Sequence, residues 1–104
     1  MLAFFKKLFG GKNEELERLI QEGAVIIDVR TPGEFKGGHV KGAINIPLDK
    51  LSSSTGKLKK DKPIITCCAS GMRSASAKSI LISAGLQDVY NGGGWQSLQA
   101  KMRS

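Results

Sequence analysis

The sequence predicts an α/β fold in which a parallel β-sheet carries helices on both faces. Two continuous apolar runs of strand length, Ala24–Val29 and Ile64–Cys67, are typical of strands that a parallel sheet buries on both sides. Segments with helix caps or helical periodicity alternate with such runs along the chain. With 104 residues, 40% of them apolar, the chain is long enough for one domain around a single core.

The first half of the domain is expected to contain two helices and two strands. Asn13 can cap the first helix, and the strand at 24–29 follows it. Residues 31–34 read Thr-Pro-Gly-Glu, which is a capping box for a second, short helix. Residues 43–46 are expected to form a short second strand.

The second half is expected to supply two more strands and two more helices. The elements predicted here are a polar loop at 52–56, a basic surface connector at 57–62, a strand at 64–67, a helix at 74–84 capped by Ser74, a strand at 88–90 and a closing helix at 95–102. Gly92-Gly93-Gly94 is predicted to form a turn that lets the backbone approach another segment closely.

Residues 1–11 are predicted to be an amphipathic N-terminal extension, and residues 12–104 to be the folded domain. The leucine and phenylalanine side chains of the extension fall near one face of a helix, whereas Lys6 and Lys7 fall toward the other. Such a segment could lie on a membrane surface or dock a partner. We favour a tail or a helix packed on its own domain, because one short amphipathic segment is a weak indication of membrane contact.

The net charge of +7 predicts a basic surface that can attract anionic small molecules, acidic proteins, nucleic acid or a membrane. Nucleic acid is not expected as a partner, because the lysines are scattered, aromatic residues are few and no base-reading motif is present.

The chain has two cysteines, Cys67 and Cys68, and they are adjacent. Neighbouring Cα atoms lie too close for ordinary disulfide geometry, so both thiols are expected to be free. Free thiols suit a reducing compartment, and the chain shows no secretory signal or membrane-spanning stretch, so we expect a cytoplasmic protein. Two cysteines and one histidine are a poor metal set, and no metal is expected.

The segment around Cys68 is expected to hold a reactive thiol. Cys68 begins the loop after the third strand, where loop amide groups and the positive end of the next helix favour the thiolate. The same N–H groups could bind an anion. Cys67 points to the other face of the strand and is expected to pack in the core. The predicted anion-binding loop consists of Ala69, Ser70, Gly71, Met72, Arg73 and Ser74.

Arg73 has two possible uses in this loop. Its planar donor fork suits an oxyanion, and it equally suits a carboxylate that would tie the loop to another segment.

Ordered motifs spread over residues 13–102 resemble the single-domain rhodanese family. These motifs are Ile27-Asp28-Val29-Arg30, Glu34-Phe35, residues 38–47, residues 68–74 and Gly93-Gly94-Trp95. The resemblance implies a three-layer sandwich with a parallel sheet of about five short strands and helices on both faces. It also implies a sulfurtransferase of the thiosulfate:cyanide type, in which Cys68 takes sulfur from a small anionic donor such as thiosulfate and holds it as a persulfide. A thiol, either a small molecule or a thioredoxin-like protein, or cyanide then accepts the sulfur, and no cofactor is needed.

The family pattern implies supporting roles for Asp28, Arg30 and His39. Asp28 and Arg30 stand at a strand end and could hold loops together or set the field near the site. His39 is the one histidine and could serve as a base, but a structural role is more common. The chain departs from the family at Ala69, where many thiosulfate-active members carry a cation, which puts efficiency with thiosulfate in doubt.

Two other functions fit parts of the sequence. A related class of phosphatases and arsenate reductases has five residues between cysteine and arginine, a spacing that this chain matches only when counted from Cys67, with Thr66 where those enzymes usually carry histidine. Alternatively, the domain is a non-catalytic docking module or a sulfur carrier for one partner. The intact Cys68 loop argues against a domain that has lost its chemistry.

Overall fold

The computed structural model of the protein describes residues 11–102, which form a four-stranded β-sheet between two layers of helices. In chain order the elements are α1 (Gly11–Gln21), β1 (Val25–Asp28), α2 (Pro32–Lys36), β2 (Ile44–Asn45), α3 (Leu48–Ser54), a 3-10 turn (Thr55–Lys57), β3 (Ile64–Cys68), α4 (Met72–Ser83), β4 (Val89–Gly94) and α5 (Trp95–Met102). The α/β prediction is confirmed.

All strand pairs are parallel, and the strand order is β2-β1-β3-β4. Strand β3 is central and every one of its residues is buried, which explains why its sequence is apolar apart from Thr66. Asp28 of β1 pairs with Cys67 of β3, so the chemistry-bearing residues of both strands meet at the carboxyl edge of the sheet. The described residues form four strands where about five were expected.

Each face of the sheet is covered by two helices, which gives the expected three layers. Helices α3 and α4 cover one face with Leu51, Ala77 and Leu81. Helices α1 and α5 cover the other with Leu16, Leu19 and Leu98. Because side chains alternate along a strand, Cys68 packs on the face that α3 and α4 cover, and Cys67 packs on the face that α1 and α5 cover.

Three predicted boundaries are wrong by a few residues. Helix α1 begins at Gly11, so Asn13 lies inside it and is not its cap. Helix α4 begins at Met72 with Gly71 as its N-cap, so the prediction that Ser74 caps it is also wrong. Strand β3 continues through Cys68, where the loop was expected to begin.

Two further segments are more regular than predicted. Helix α3 occupies part of the expected polar loop, because Leu51 anchors it in the core while its serines face outward. The glycines expected to form a turn instead extend β4 as far as Gly94. In contrast, the capping box of α2 is confirmed: the Glu34 N–H donates to Thr31 Oγ1, and the Thr31 N–H donates to Glu34 Oε1.

At Gly92, the backbone of β4 lies in tight contact with the core. A Cβ atom there would lie 2.7 Å from Ile65 Cγ2, 2.8 Å from the Thr66 carbonyl oxygen and 3.2 Å from Leu98 Cδ2. The substitution Gly92→Ala is therefore expected to lower the free energy of unfolding by roughly 1–3 kcal/mol, because backbone as well as side chains must move. Gly56→Ala is the matched control, since nothing lies within 4 Å of its Cβ position. Equal urea midpoints for the two variants would contradict this packing.

The predicted extension, residues 1–11, lies outside the described residues except for Gly11. Among residues 11–102 no helix has the length and apolar character needed to cross a membrane.

Candidate functional site

Cys68 ends β3, and its sulfur lies in a cradle of backbone amide groups. The Gly71 N–H donates to Cys68 Sγ at 2.9 Å, and the Ser74 N–H donates to it at 3.3 Å. The residue is only 1% exposed. The sulfur therefore sits at the N-terminus of α4 with donors already directed at it.

These donors decide the ionisation of the Cys68 thiol. Burial alone would raise its pKa, but hydrogen bonds from Ser74 and from the N–H groups of Gly71 and Ser70 outweigh burial, so the pKa lies below its ordinary value. The Ser74 hydroxyl has only one proton, and the Gly71 carbonyl oxygen and Asn91 Oδ1 compete with the sulfur to accept it. We therefore attribute the lower pKa mainly to the backbone N–H groups.

The loop can form this cradle because Gly71 adopts φ 105°. A residue with a Cβ atom rarely adopts this left-handed conformation. It turns the chain so that the N–H groups of the loop and of the first turn of α4 converge on the sulfur. The end of β4 closes the cradle from the side, since a Cβ at Gly71 would lie 3.6 Å from Gly93 Cα.

Apart from Arg73, the predicted loop residues divide into two groups in the structure. Ser70, Gly71 and Ser74 supply donors to the sulfur. Ala69 and Met72 face outward, and Met72 is 80% exposed. The loop thus directs polar donors at the sulfur, while the exposed side chains of Ala69 and Met72 form an apolar rim around the site.

Arg73 is tied to a carboxylate, which is one of the two predicted uses. Its Nη1 and Nη2 groups donate to Glu34 Oε1 and Oε2 at 2.8 and 2.9 Å. This bidentate pair and the hydrogen bonds from Thr31 lower the pKa of Glu34 to about 2. Glu34 therefore joins the capping box of α2 to the first turn of α4.

Asp28 and Arg30 form a buried pair beside the loop. Arg30 donates from Nε and Nη2 to the Asp28 carboxylate at 2.6–3.0 Å, and burial leaves only 4% of Arg30 exposed. Its Nη2 also donates to the Gly38 carbonyl oxygen, and its guanidinium lies 4.8 Å from the centroid of the Trp95 ring. Arg30 thus holds the segment after β1 against α5.

His39 lies beside α2 rather than in the sulfur cradle. Its ring stacks on Phe35 with centroids 3.7 Å apart, and its Nδ1 lies 2.7 Å from the Phe35 carbonyl oxygen. Because a carbonyl oxygen only accepts, this Nδ1 carries the proton. These contacts hold the His39 ring against α2.

Cys67 differs from its neighbour in its surroundings. Burial, and after it the charge of Asp28, raises the pKa of the Cys67 thiol to about 12. Cys67 therefore stays protonated at neutral pH, as expected of a packed thiol. In the described part of the chain, no group of three or more histidine, cysteine and acidic residues could hold a metal ion.

Two residues that anchor the site, Asn91 and Thr66, were not anticipated from the sequence. Asn91 Oδ1 accepts from the Ser74 hydroxyl and from the Gly93 N–H. Thr66 Oγ1 donates to the Ser74 carbonyl oxygen at 2.9 Å. Both anchor the first turn of α4 to the sheet, and neither follows from a local motif.

Alkylation of the two thiols should separate their environments. We expect iodoacetamide to modify Cys68 with a rate that rises with pH and levels off, with a midpoint below the ordinary cysteine value of about 8.5, because the thiolate is the reactive form. Cys67 should react only after unfolding. Peptide mapping at each pH measures both rates, with Cys67→Ala as the control. A midpoint at or above the ordinary value would contradict the cradle.

Fold and site together define a class of protein: a small α/β domain that holds one cysteine against converging amide groups at the end of its central strand. The family model for the Rhodanese-like domain matches residues 12–101. The chain belongs to this family.

Relatives and a solved structure agree with this assignment. The uncharacterized protein YqhL of Bacillus subtilis is 38% identical over 92 residues, which cover 88% of this chain and 73% of that protein. A thiosulfate sulfurtransferase, GlpE of Pseudoalteromonas translucida, is 34% identical over 84% of each chain. The crystal structure of reduced Bacillus anthracis CoADR-RHD superposes with a TM-score of 0.72 at 38% identity; the match covers 86% of this chain and 16% of that one.

Proposed function

We propose that the protein is a sulfurtransferase that carries a sulfane sulfur atom as a persulfide on Cys68. The observation that supports this most strongly is the position of Cys68 Sγ, which accepts hydrogen bonds from the Gly71 and Ser74 N–H groups. Such donors stabilise a thiolate, and they equally stabilise a persulfide anion. The similarity to thiosulfate sulfurtransferases supports the same reaction class.

In the first step, the Cys68 thiolate attacks the outer sulfur of the donor. With thiosulfate, a new S–S bond forms at Cys68, the S–S bond of the donor breaks, and sulfite leaves with the electron pair of that bond. The Cys68 persulfide remains as an anion near the N–H groups of Ser70, Gly71 and Ser74. This is covalent catalysis in two steps, and no oxidant is needed.

In the second step, a nucleophile attacks the outer sulfur of the persulfide. A thiol acceptor leaves as a persulfide, and cyanide leaves as thiocyanate. Cys68 departs as the thiolate, which the same N–H groups stabilise. We propose that the acceptor is a small thiol or a thioredoxin-like protein, that the compartment is the cytoplasm because free thiols suit it, and that residues 12–104 form the unit that performs the reaction.

The phosphatase alternative requires Cys67 to be the nucleophile. Cys67 is buried on the opposite face of β3, and its pKa is raised to about 12. A protonated thiol is a poor nucleophile. The spacing of four residues between Cys68 and Arg73 suits a smaller transferred group.

Sulfur uptake tests the proposal directly. Reduced protein treated with thiosulfate or an organic persulfide is expected to gain the mass of one sulfur atom, and cyanide should remove it and release thiocyanate. Protein alkylated beforehand at Cys68 is the control, and p-nitrophenyl phosphate and arsenate are offered in parallel. A protein that takes sulfur from neither donor would overturn the proposal, and turnover of the phosphate ester would restore the phosphatase alternative.

A further inference from the structure

In the part of the chain that the structure describes, both arginines at the carboxyl edge of the sheet are neutralised by carboxylates. Arg73, whose charge is close enough to interact with Cys68, is held by Glu34 in a bidentate pair. Arg30 is held by Asp28 and is almost fully buried. Neither pair carries net charge, so neither arginine presents an uncompensated charge to an incoming anion.

Within the described loop, the stabilisation that remains for negative charge at Cys68 is local. It comes from the N–H groups around Cys68 Sγ. The partial positive charges of these groups stabilise an anion only at short range. The residue that follows the cysteine, Ala69, is exposed and uncharged. The cradle is therefore built for one ionised sulfur atom.

The basic connector at 57–62 does not change this balance. It leads into the amino end of β3, whereas Cys68 is at the carboxyl end. A five-residue strand spans about 16 Å, and the screening length at physiological salt is about 8 Å. The connector therefore contributes little to the field at the sulfur.

The rim of the site offers apolar rather than charged contacts. Met72, directly after the cap of α4, is 80% exposed, and Ala69 is exposed at the other end of the loop. A flexible thioether is well suited to contact varied apolar groups. An organic substituent on the donor could rest against this rim while its sulfur enters the cradle.

We propose that the preferred sulfur donor is an organic persulfide, R–S–SH, rather than dianionic thiosulfate, and that Glu34 sets this preference by neutralising Arg73. This inference rests on the proposed sulfurtransferase function. The Cys68 thiolate attacks the outer sulfur of R–S–SH, the S–S bond of the donor breaks, and R–S⁻ leaves with its electron pair. The donor proton passes from the new Cys68 persulfide to the departing thiolate or to water. The form of the donor that is attacked is the protonated R–S–SH, whose reacting end carries no charge and therefore needs no cation.

The test compares two donors on the full chain. Second-order rate constants for sulfur uptake at Cys68 are measured by quenched intact mass, with thiosulfate and with the persulfide of N-acetylcysteine methyl ester. Each constant is divided by that of the same donor with free cysteine, which removes intrinsic reactivity. We expect the normalised constant for the persulfide to exceed that for thiosulfate by about tenfold or more.

Two variants test whether the charge at the site sets the preference for the persulfide donor. Glu34→Gln keeps a residue type that forms capping boxes while it frees the charge of Arg73, and Ala69→Lys adds a cation at an exposed position. Each should raise the thiosulfate constant about three- to tenfold relative to the persulfide constant, and the gain should shrink as salt is added.

The outcomes separate this inference from the function on which it rests. If both donors load Cys68 but thiosulfate is equal or better, the donor preference is overturned and the sulfurtransferase stands. If neither variant moves the ratio, the role of Glu34 and of site charge is overturned. If neither donor loads Cys68, the proposed function fails and this inference with it.

Discussion

The substitution Cys68→Ala is expected to abolish sulfur uptake and sulfur transfer, reducing both to the level of the reaction without protein. Only Cys68 combines a thiol of lowered pKa with N–H donors that can hold the product anion. Alanine removes the atom that forms the covalent intermediate, and no other group in the cradle replaces it. Thiocyanate release from thiosulfate and cyanide measures transfer, and intact mass measures uptake.

The matched control is Cys67→Ala, which removes the adjacent thiol and leaves the cradle intact. It should retain sulfur uptake, although the lost packing of a fully buried side chain will lower its stability. Circular dichroism of both variants shows whether the fold is kept. Loss of uptake in folded Cys67→Ala, with retention in Cys68→Ala, would mean that the wrong cysteine has been chosen.

The substitution Asp28→Ala is expected to lower the free energy of unfolding by roughly 3–5 kcal/mol, because it leaves the charge of Arg30 buried without its partner. The carboxylate accepts from Arg30 Nε, from Nη2 and from the Arg30 backbone N–H. Losing it also frees the arginine that binds the Gly38 carbonyl oxygen and lies over Trp95. Urea unfolding followed by Trp95 fluorescence measures the change.

An exposed ion pair supplies the comparison. Arg18 of α1 and Glu22, the residue after its C-terminus, form a pair with side chains 56% and 52% exposed. Glu22→Ala should therefore change the free energy of unfolding by less than about 1 kcal/mol. If Asp28→Ala and Glu22→Ala shift the urea midpoint equally, the buried pair does not stabilise this edge of the sheet.

Local features of the fold and site could be predicted from the sequence. The alternation of strands and helices, the capping box at 31–34 and the packed position of Cys67 all depend on residues close together in the chain. The same is true of the cradle, since the sulfur of Cys68 is held by groups three and six residues further on. The direction of its pKa therefore followed from strand, loop and helix order alone.

The contacts between distant segments could not be predicted in this way. The carboxylate that binds Arg73 lies 39 residues away, and the acceptor of the Ser74 hydroxyl lies 17 residues away. Local patterning indicated that Arg73 needs an anion but not whether a carboxylate or a ligand provides it. Helix α3 was missed for a related reason, because its serine-rich sequence favours a loop and only the burial of Leu51 explains the helix.

Because Cys67 and Cys68 have opposite orientations, thiol labelling can report the local opening of strand β3 in solution. Two identical functional groups, one residue apart, are both buried, but one is hydrogen-bonded by the loop and the other packs against the layer of α1 and α5. Cys67 can be labelled only when the sheet opens, so its labelling rate measures the equilibrium between closed and open native states. The protein thus carries an internal probe of its own local unfolding, beside a second thiol that is held by the loop at the edge of the same strand.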